Sequence, residues 1–298
     1  MNRKEFLYAS TTLIGGLTLG KFPFPWRRDS IRFGLITDLH FADRDTPDGS
    51  SRYYRESLQK LAECVSVMNR EKVDFLIQIG DFKDQNDPPV ESETLEYLKT
   101  ISHELNRFHG STYHALGNHD HDSISKQQFL DGVTISGINP PKSYYSFDKK
   151  NFHFVVLDAN YTSSGEEYDH GNFDWKDSNI PRAQLDWLHQ DLSRTKKPAI
   201  VFVHQRLDEK EGNASYCVRN AAAVRNILED AGNVILVIQG HYHPGDMSTI
   251  NDIVYYTLPA AVEGSGLENN SFAILEIDQE LSMNLTGFRK TDSIRFSE

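Results

Sequence analysis

The chain has 298 residues, of which 38% are hydrophobic, 25% charged and 11% aromatic. That mixture excludes a disordered chain, a collagen and a polytopic membrane protein, and the length suits one or two domains. The net charge of −12, from 31 basic and 43 acidic residues, argues against non-specific binding to a nucleic-acid backbone. An acidic protein still handles anionic substrates where a bound metal supplies local positive charge. Cys64 and Cys217 are too few for a disulfide framework, and whether they pair is not legible in the sequence.

The first residues, Asn2-Arg3-Lys4-Glu5, precede an apolar and small-residue run from Phe6 to Gly20. A short basic start and such a run resemble a secretory signal. Arg3-Lys4-Glu5-Phe6-Leu7 also resembles a degenerate twin-arginine signal, with Lys in the second position. A membrane-spanning helix needs about 20 apolar residues, so the run is short for one. The plain alternative is an amphipathic leader packed on the domain. The expectation is a leader over 1–29 and one domain over 30–298. It includes export to the periplasm or cell surface and no stable transmembrane span after leader removal.

From Ile31 on, β-rich runs alternate with helical patterns. Ile31–Thr37 reads as a strand. Arg52–Arg70 reads as a helix with Leu58, Leu61, Val65 and Met68 on one face. Val73–Ile79 is a buried-strand run, Leu95–Phe108 a helix, Thr112–Leu116 a strand and Ser125–Leu130 a short helix. Tyr144–Phe147 and Phe152–Leu157 read as a hairpin. Residues 160–179 are polar and read as a long loop, where function often resides. Its acidic residues, among them Glu166, Glu167, Asp169 and Asp174, either cap a site or simply face solvent. Arg182–Leu192 is a helix behind Pro181, Ala199–Val203 a strand, Ala221–Glu229 a helix and Val234–Ile238 a strand. The tail is mostly strands: Ile253–Leu258, Phe272–Ile277 and Met283–Phe288. The alternation predicts an α/β domain, and the late strands a second sheet packed on the first with helices outside.

Five segments place Asp, His or Asn directly after an apolar β run. They are Thr37-Asp38-Leu39-His40, Gly80-Asp81-Phe82-Lys83-Asp84, Gly117-Asn118-His119-Asp120, Val203-His204-Gln205 and Gly240-His241-Tyr242-His243. In α/β folds, sites collect at the carboxyl ends of strands. Oxygen and imidazole donors without cysteine suit Mn, Fe or Zn and exclude a thiolate zinc site. Asp38 and His40, spaced i and i+2, point to one side if the segment is extended, and His241 and His243 repeat the spacing. Asp81 is the candidate bridge between two ions. Two such ions clamp the attacking and leaving oxygens of a phosphoryl displacement and lower the pKa of a bound water. Each segment alone also fits a turn, a helix cap or a hydrogen-bonded histidine. Five in this order do not.

The ordered set Asp-x-His, Gly-Asp-x-x-Asp, Gly-Asn-His-Asp, His and Gly-His-x-His resembles the calcineurin-like metallophosphoesterase family over residues 38–243. The resemblance implies a four-layer α/β/β/α sandwich of two mixed sheets and two metal ions. It implies Asp38, His40, Asp81 and His243 on one ion, and Asp81, Asn118, His204 and His241 on the other. His119 is then the residue that protonates the leaving oxygen or stabilises the transition state. Asp120 is expected to orient His119 by accepting its other N–H. Asp84 is expected as a turn or supporting residue. Gln205 and Arg206 depart from the pattern, since many relatives have small or apolar residues and a proline there.

A looser likeness is to the manganese-dependent ADP-ribose/CDP-alcohol diphosphatase branch. Arg52-Tyr53-Tyr54-Arg55-Glu56-Ser57-Leu58, Gln78-Ile79-Gly80-Asp81 and Asn213-Ala214-Ser215-Tyr216-Cys217 carry it. Arg52, Arg55 and Arg206 are candidates for a second phosphate, Arg52 ahead of Arg55. Tyr53, Tyr54 and Tyr242 are candidates to stack on a base or ribose. The expected partner is a small phosphorylated substrate. The other readings are an exported phosphatase that scavenges phosphate, a nuclease, and a scaffold that has lost catalysis. The charge counts against the nuclease and the filled ligand positions against the scaffold.

Overall fold

The computed structural model describes residues 30–210, 212 and 214–296, so the expected leader over 1–29 lies outside the described residues. In chain order the first elements are β1 (Ile31–Ile36), α1 (Ser57–Glu71), β2 (Phe75–Ile79), α2 (Glu91–Leu105), β3 (Ser111–Ala115) and α3 (Lys126–Gly132). Then come β4 (Tyr145–Lys149), β5 (Phe152–Val156), α4 (Arg182–Ser193), β6 (Ala199–Phe202), α5 (Ala221–Ala231) and β7 (Val234–Gln239). The remainder is β8 (Asp246–Ile250), β9 (Ile253–Thr257), β10 (Ser271–Ile277), β11 (Met283–Arg289) and β12 (Ile294–Phe296).

One sheet has the order β12-β11-β10-β1-β2-β3 and the other β4-β5-β6-β7-β9-β8. Each is mixed. β1, β2 and β3 are parallel, with β10 antiparallel to β1 from Ile31↔Ile277 onward. β5, β6, β7 and β9 are parallel, with β4 and β8 antiparallel at the two edges. Aromatic rings lock the sheets face to face. Phe33 and Phe75 of the first sheet stack at 4.7 Å. They meet Phe154 of the second edge-on at 5.6 and 5.0 Å. Leu61, Val65 and Met68 of α1 and Leu98, Ile101 and Leu105 of α2 cover the outer face of the first sheet. Leu185, Leu188, Leu192, Val224 and Leu228 of α4 and α5 cover the second. The chain thus forms the α/β/β/α sandwich.

The departures from expectation have local causes. α1 starts at Ser57 rather than Arg52, because Tyr53 N–H is held by Val262 O at 3.0 Å and Arg52 bridges Glu263. α2 starts before its apolar stripe, at Glu91, with Glu91 and Glu93 favourably placed in its first turn. β8 and β12 were not expected. β8 is an edge strand of half-exposed residues, and β12 has three residues only. Cys64 and Cys217 are both buried and form no disulfide.

Candidate dinuclear metal centre

All five segments follow parallel strands: β1, β2 and β3 in one sheet, β6 and β7 in the other. Their carboxyl ends face the seam between the sheets, so the segments converge. Asp38, His40 and His243 bring ligand atoms within 4.8 Å of one another, and so do Asp81, His204 and His241. Asp81 joins the two groups: its Oδ2 lies 3.4 Å from His40 Nε2 and 3.2 Å from His204 Nε2. His243 Nε2 lies 3.4 Å from Asp38 Oδ1 and 3.3 Å from His40 Nε2. Asn118 opens a short 3-10 turn, and the next N–H, of His119, donates to Asp81 Oδ1 at 2.8 Å.

The expectation that Asp-x-His is extended is corrected. Asp38, His40, Asp81 and His241 have φ of 51°, 45°, 50° and 66°, in the left-handed region. For non-glycine residues this conformation costs about 1–2 kcal/mol each. It turns the side chains into the seam instead of leaving them on a strand face. Gly240 lets this happen: a Cβ there would lie 2.4 Å from Thr37 Oγ1 and 2.8 Å from Asp38 Oδ2.

Four buried ligand-type atoms have no hydrogen-bond partner: Asp38 Oδ1, Asn118 Oδ1, His204 Nε2 and His241 Nε2. A buried polar atom left unpaired is costly, so four that converge are a donor set without its acceptor. Carboxylate, amide and imidazole donors fit two ions of the Mn, Fe or Zn type. The electrostatics agree. Burial raises the Asp38 and Asp81 carboxyls, but the positive field of His204 and its neighbours outweighs burial and holds both well below the usual range. Burial lowers His204, yet Asp81 and Asp38 push it up to about 9. Burial, with His204 beside it, pulls His241 down to about 3. Protons and metal therefore compete for the same lone pairs.

Other nitrogens are fixed from behind. His40 Nδ1 bonds Asp84 Oδ2 at 3.0 Å, which gives Asp84 a supporting role. His204 Nδ1 donates to Ile79 O at 2.7 Å. His243 Nδ1 bonds Glu263 Oε1 at 2.5 Å. Glu263 was not singled out in the sequence. It follows β9, the next parallel strand, and no histidine marks it.

Asp120 does not touch the His119 ring, contrary to expectation. Its oxygens accept backbone N–H groups of Phe82 (2.9 Å), Lys83 (3.3 Å) and Gly117 (2.8 Å). It ties the β2 loop to the β3 loop. His119 Nδ1 instead lies 3.3 Å from Asp84 Oδ2 and 3.4 Å from Asp122 Oδ2. Burial lowers its pKa, but Asp84 and Asp81 raise it to about 9. The side chain is 30% exposed and reaches the opening.

Arg206 is corrected from substrate contact to structural ion pair. It is fully buried and holds Asp208 Oδ2 and Asp246 Oδ2 at 2.8 Å each. Arg55 pairs with Asp43 and Asp45 at the surface. Tyr54 is buried under the Arg44 guanidinium, 3.8 Å from its ring centre. Arg52 and Tyr53 are half-exposed near the rim, with Arg52 Nε 3.9 Å from Glu263 Oε1. The loop 160–179 keeps its acidic residues at the surface but delivers Trp175 to the site, 5.5 Å from the His241 ring. Tyr216 also stands 5.5 Å from His241 and meets Tyr242 at 5.0 Å.

A family model described as calcineurin-like phosphoesterase matches residues 31–245. Two proteins named manganese-dependent ADP-ribose/CDP-alcohol diphosphatase are each 27% identical to this chain. The one from Oryza sativa subsp. japonica aligns over 80% of this chain and 85% of its own, and the one from Arabidopsis thaliana over 80% and 88%. The crystal structure of a dimetal phosphatase from Danio rerio superposes with a TM-score of 0.75 at 22% identity, covering 90% of this chain and 98% of that one. A purple acid phosphatase from yellow lupin seeds has the same fold, with a TM-score of 0.59 at 15% identity over 92% of this chain and 54% of that one. The chain belongs to the calcineurin-like phosphoesterase family, and it is a metal-dependent phosphoester hydrolase.

Proposed function

We propose that this protein hydrolyses the pyrophosphate of nucleoside-diphosphate-linked small molecules, of the ADP-ribose and CDP-alcohol kind. The observation that carries the reading is the aromatic wall of Trp175, Tyr216 and Tyr242 beside His241. A simple phosphoester needs no such wall, whereas a base or ribose stacks on one. The names of the plant relatives agree. Asp38, His40, Asp81 and His243 would hold one ion and Asp81, Asn118, His204 and His241 the other. Ions so held supply a nucleophile at neutral pH and charge stabilisation for the phosphoryl group. His119, oriented by Asp84 and Asp122 at its Nδ1, is placed to give a proton to the departing oxygen.

The test compares kcat/KM for ADP-ribose, CDP-choline, p-nitrophenyl phosphate and bis-p-nitrophenyl phosphate in the manganese-loaded protein. Trp175→Ala and Tyr216→Ala each remove about 1–3 kcal/mol of stacking, or about 5–150-fold, from the nucleotides only. Equal losses on all four substrates, or a wild-type preference for the simple esters, overturn the proposal and favour phosphate scavenging. Export rests on the basic start and apolar run of residues 2–20. Cell fractionation that finds the full-length chain only in the cytoplasm refutes it.

A further inference from the structure

We propose that Glu263 is a positioning residue of the metal centre, specific to the ion held by Asp38, His40, Asp81 and His243. The inference rests on the metal-hydrolase reading of the site. Glu263 Oε1 takes the Nδ1 hydrogen of His243 at 2.5 Å, which leaves the Nε2 lone pair facing Asp38 Oδ1 at 3.4 Å. A carboxylate behind a ligating histidine fixes its tautomer, fixes the ring and strengthens the lone pair.

The segment that carries Glu263 is braced on several sides. Val262 N–H donates to Asp38 O at 3.0 Å and Gly264 N–H to Ser51 O at 2.8 Å. The fully buried Lys60 Nζ spans the carbonyls of Ala261 (2.7 Å) and Gly264 (2.6 Å). Lys290 Nζ donates to Glu263 O at 2.8 Å. A buried lysine spent on two carbonyls of one turn holds that turn against His243.

The two ions are therefore supported unequally. His40 and His243 are both backed by carboxylates, Asp84 and Glu263. On the other ion, His204 is backed by the neutral carbonyl of Ile79, and Asn118 contributes no charge. Arg44 and Arg52 offset part of the outer negative charge, at 3.2 Å from Asp84 and 3.9 Å from Glu263. They do not interrupt the N–H···carboxylate contacts that polarise the rings.

The experiment strips the full chain with a chelator and titrates it with manganese chloride, followed by calorimetry and by the electron paramagnetic resonance of bound manganese. Wild type takes up two ions in two steps. Glu263→Gln keeps an acceptor and loses the charge, and it weakens one step by about 10–100-fold while the other stays unchanged. Glu263→Ala weakens the same step at least as much. Glu56→Gln is the control: Glu56 braces the neighbouring turn through Ser265 (3.0 Å) and Gly266 N (2.6 Å) without touching His243. It is expected to leave both steps alone. Unchanged binding in Glu263→Gln overturns the proposal, as does an equal effect of Glu56→Gln, which would make the turn rather than the carboxylate responsible. Wild type that binds no manganese fails the metal reading itself, and is told apart because the parent protein fails with the variants.

Discussion

Removing the metals from this protein lowers its stability by an amount that the seam predicts. Asp38 Oδ1, Asn118 Oδ1, His204 Nε2 and His241 Nε2 are buried and lack hydrogen-bond partners. Without ions, His204 Nε2 and Asp38 Oδ1 still face oppositely charged neighbours, Asp81 Oδ2 at 3.2 Å and His243 Nε2 at 3.4 Å, so the uncompensated atoms are Asn118 Oδ1 and His241 Nε2, at about 1–3 kcal/mol each or about 2–6 kcal/mol together. Entering water keeps the loss near the low end, and a native fold has only about 5–15 kcal/mol in hand. The strained φ values of the ligands do not enter, since they are present with and without metal. A loss of about 2 kcal/mol corresponds to a Tm drop of roughly 3 °C for a chain of this size. The assay is a calorimetric melt of chelator-treated protein against protein with excess manganese. Asp81→Asn should abolish the difference, because Asp81 Oδ2 faces both His40 and His204. Coincident melts of loaded and stripped wild type, or a full shift retained in Asp81→Asn, refute the reasoning.

Asp120→Ala strands three backbone N–H groups, those of Phe82, Lys83 and Gly117. It also relieves a carboxyl that burial and Asp81 push up to about 7. The net loss is about 2 kcal/mol in urea unfolding of the metal-free protein. A fall in kcat with unchanged stability would restore the idea that Asp120 serves His119. Arg206→Ala leaves Asp208 and the partly exposed Asp246 without their buried partner and costs about 3 kcal/mol. A raised KM at full stability reverses that assignment. His153 sits between Asp148 and Asp191 at 2.8 Å each. Burial lowers its pKa, but the bonds to Asp191 and Asp148 outweigh that and raise it. Its contribution is present below about 6.5 and lost as pH rises through the folded value. His153→Gln should therefore lose about 1–2 kcal/mol at pH 6 and little at pH 9. A deficit that grows with pH contradicts the charge pairing.

The layers and the five ligand segments were legible because apolar β runs end in polar loops, and parallel strands deliver such loops to one edge. What spacing could not convey was direction. Asp38 and His40 meet the cluster through left-handed backbone, which no period-two argument contains. Asp120 follows His119 in sequence, but the 3-10 turn sends its carboxylate back to the β2 loop. Arg206 fits a phosphate contact in the sequence alone, but the fold pairs it with two aspartates, one of them on the edge strand β8. Trp175 was hidden in a loop read for its acids. Glu263 obeys the strand-end rule through β9, yet a lone glutamate carries no spacing signal.

The seam between the sheets also sets a schedule. With the ligands proposed above, each ion would need donors from both sheets: Asp38, His40, Asp81 and Asn118 come from the first, His204, His241 and His243 from the second. β1 moreover pairs on one side with β10, made near the end of the chain. A nascent chain synthesised only through β3 owns its early carboxylates and His40 but can close neither site. Neither site can therefore close before the segment carrying His241 and His243 has been made. A product that stops after β3 keeps its early aspartates without the histidines of the second sheet, and leaves the β1 edge that β10 would cover unpaired.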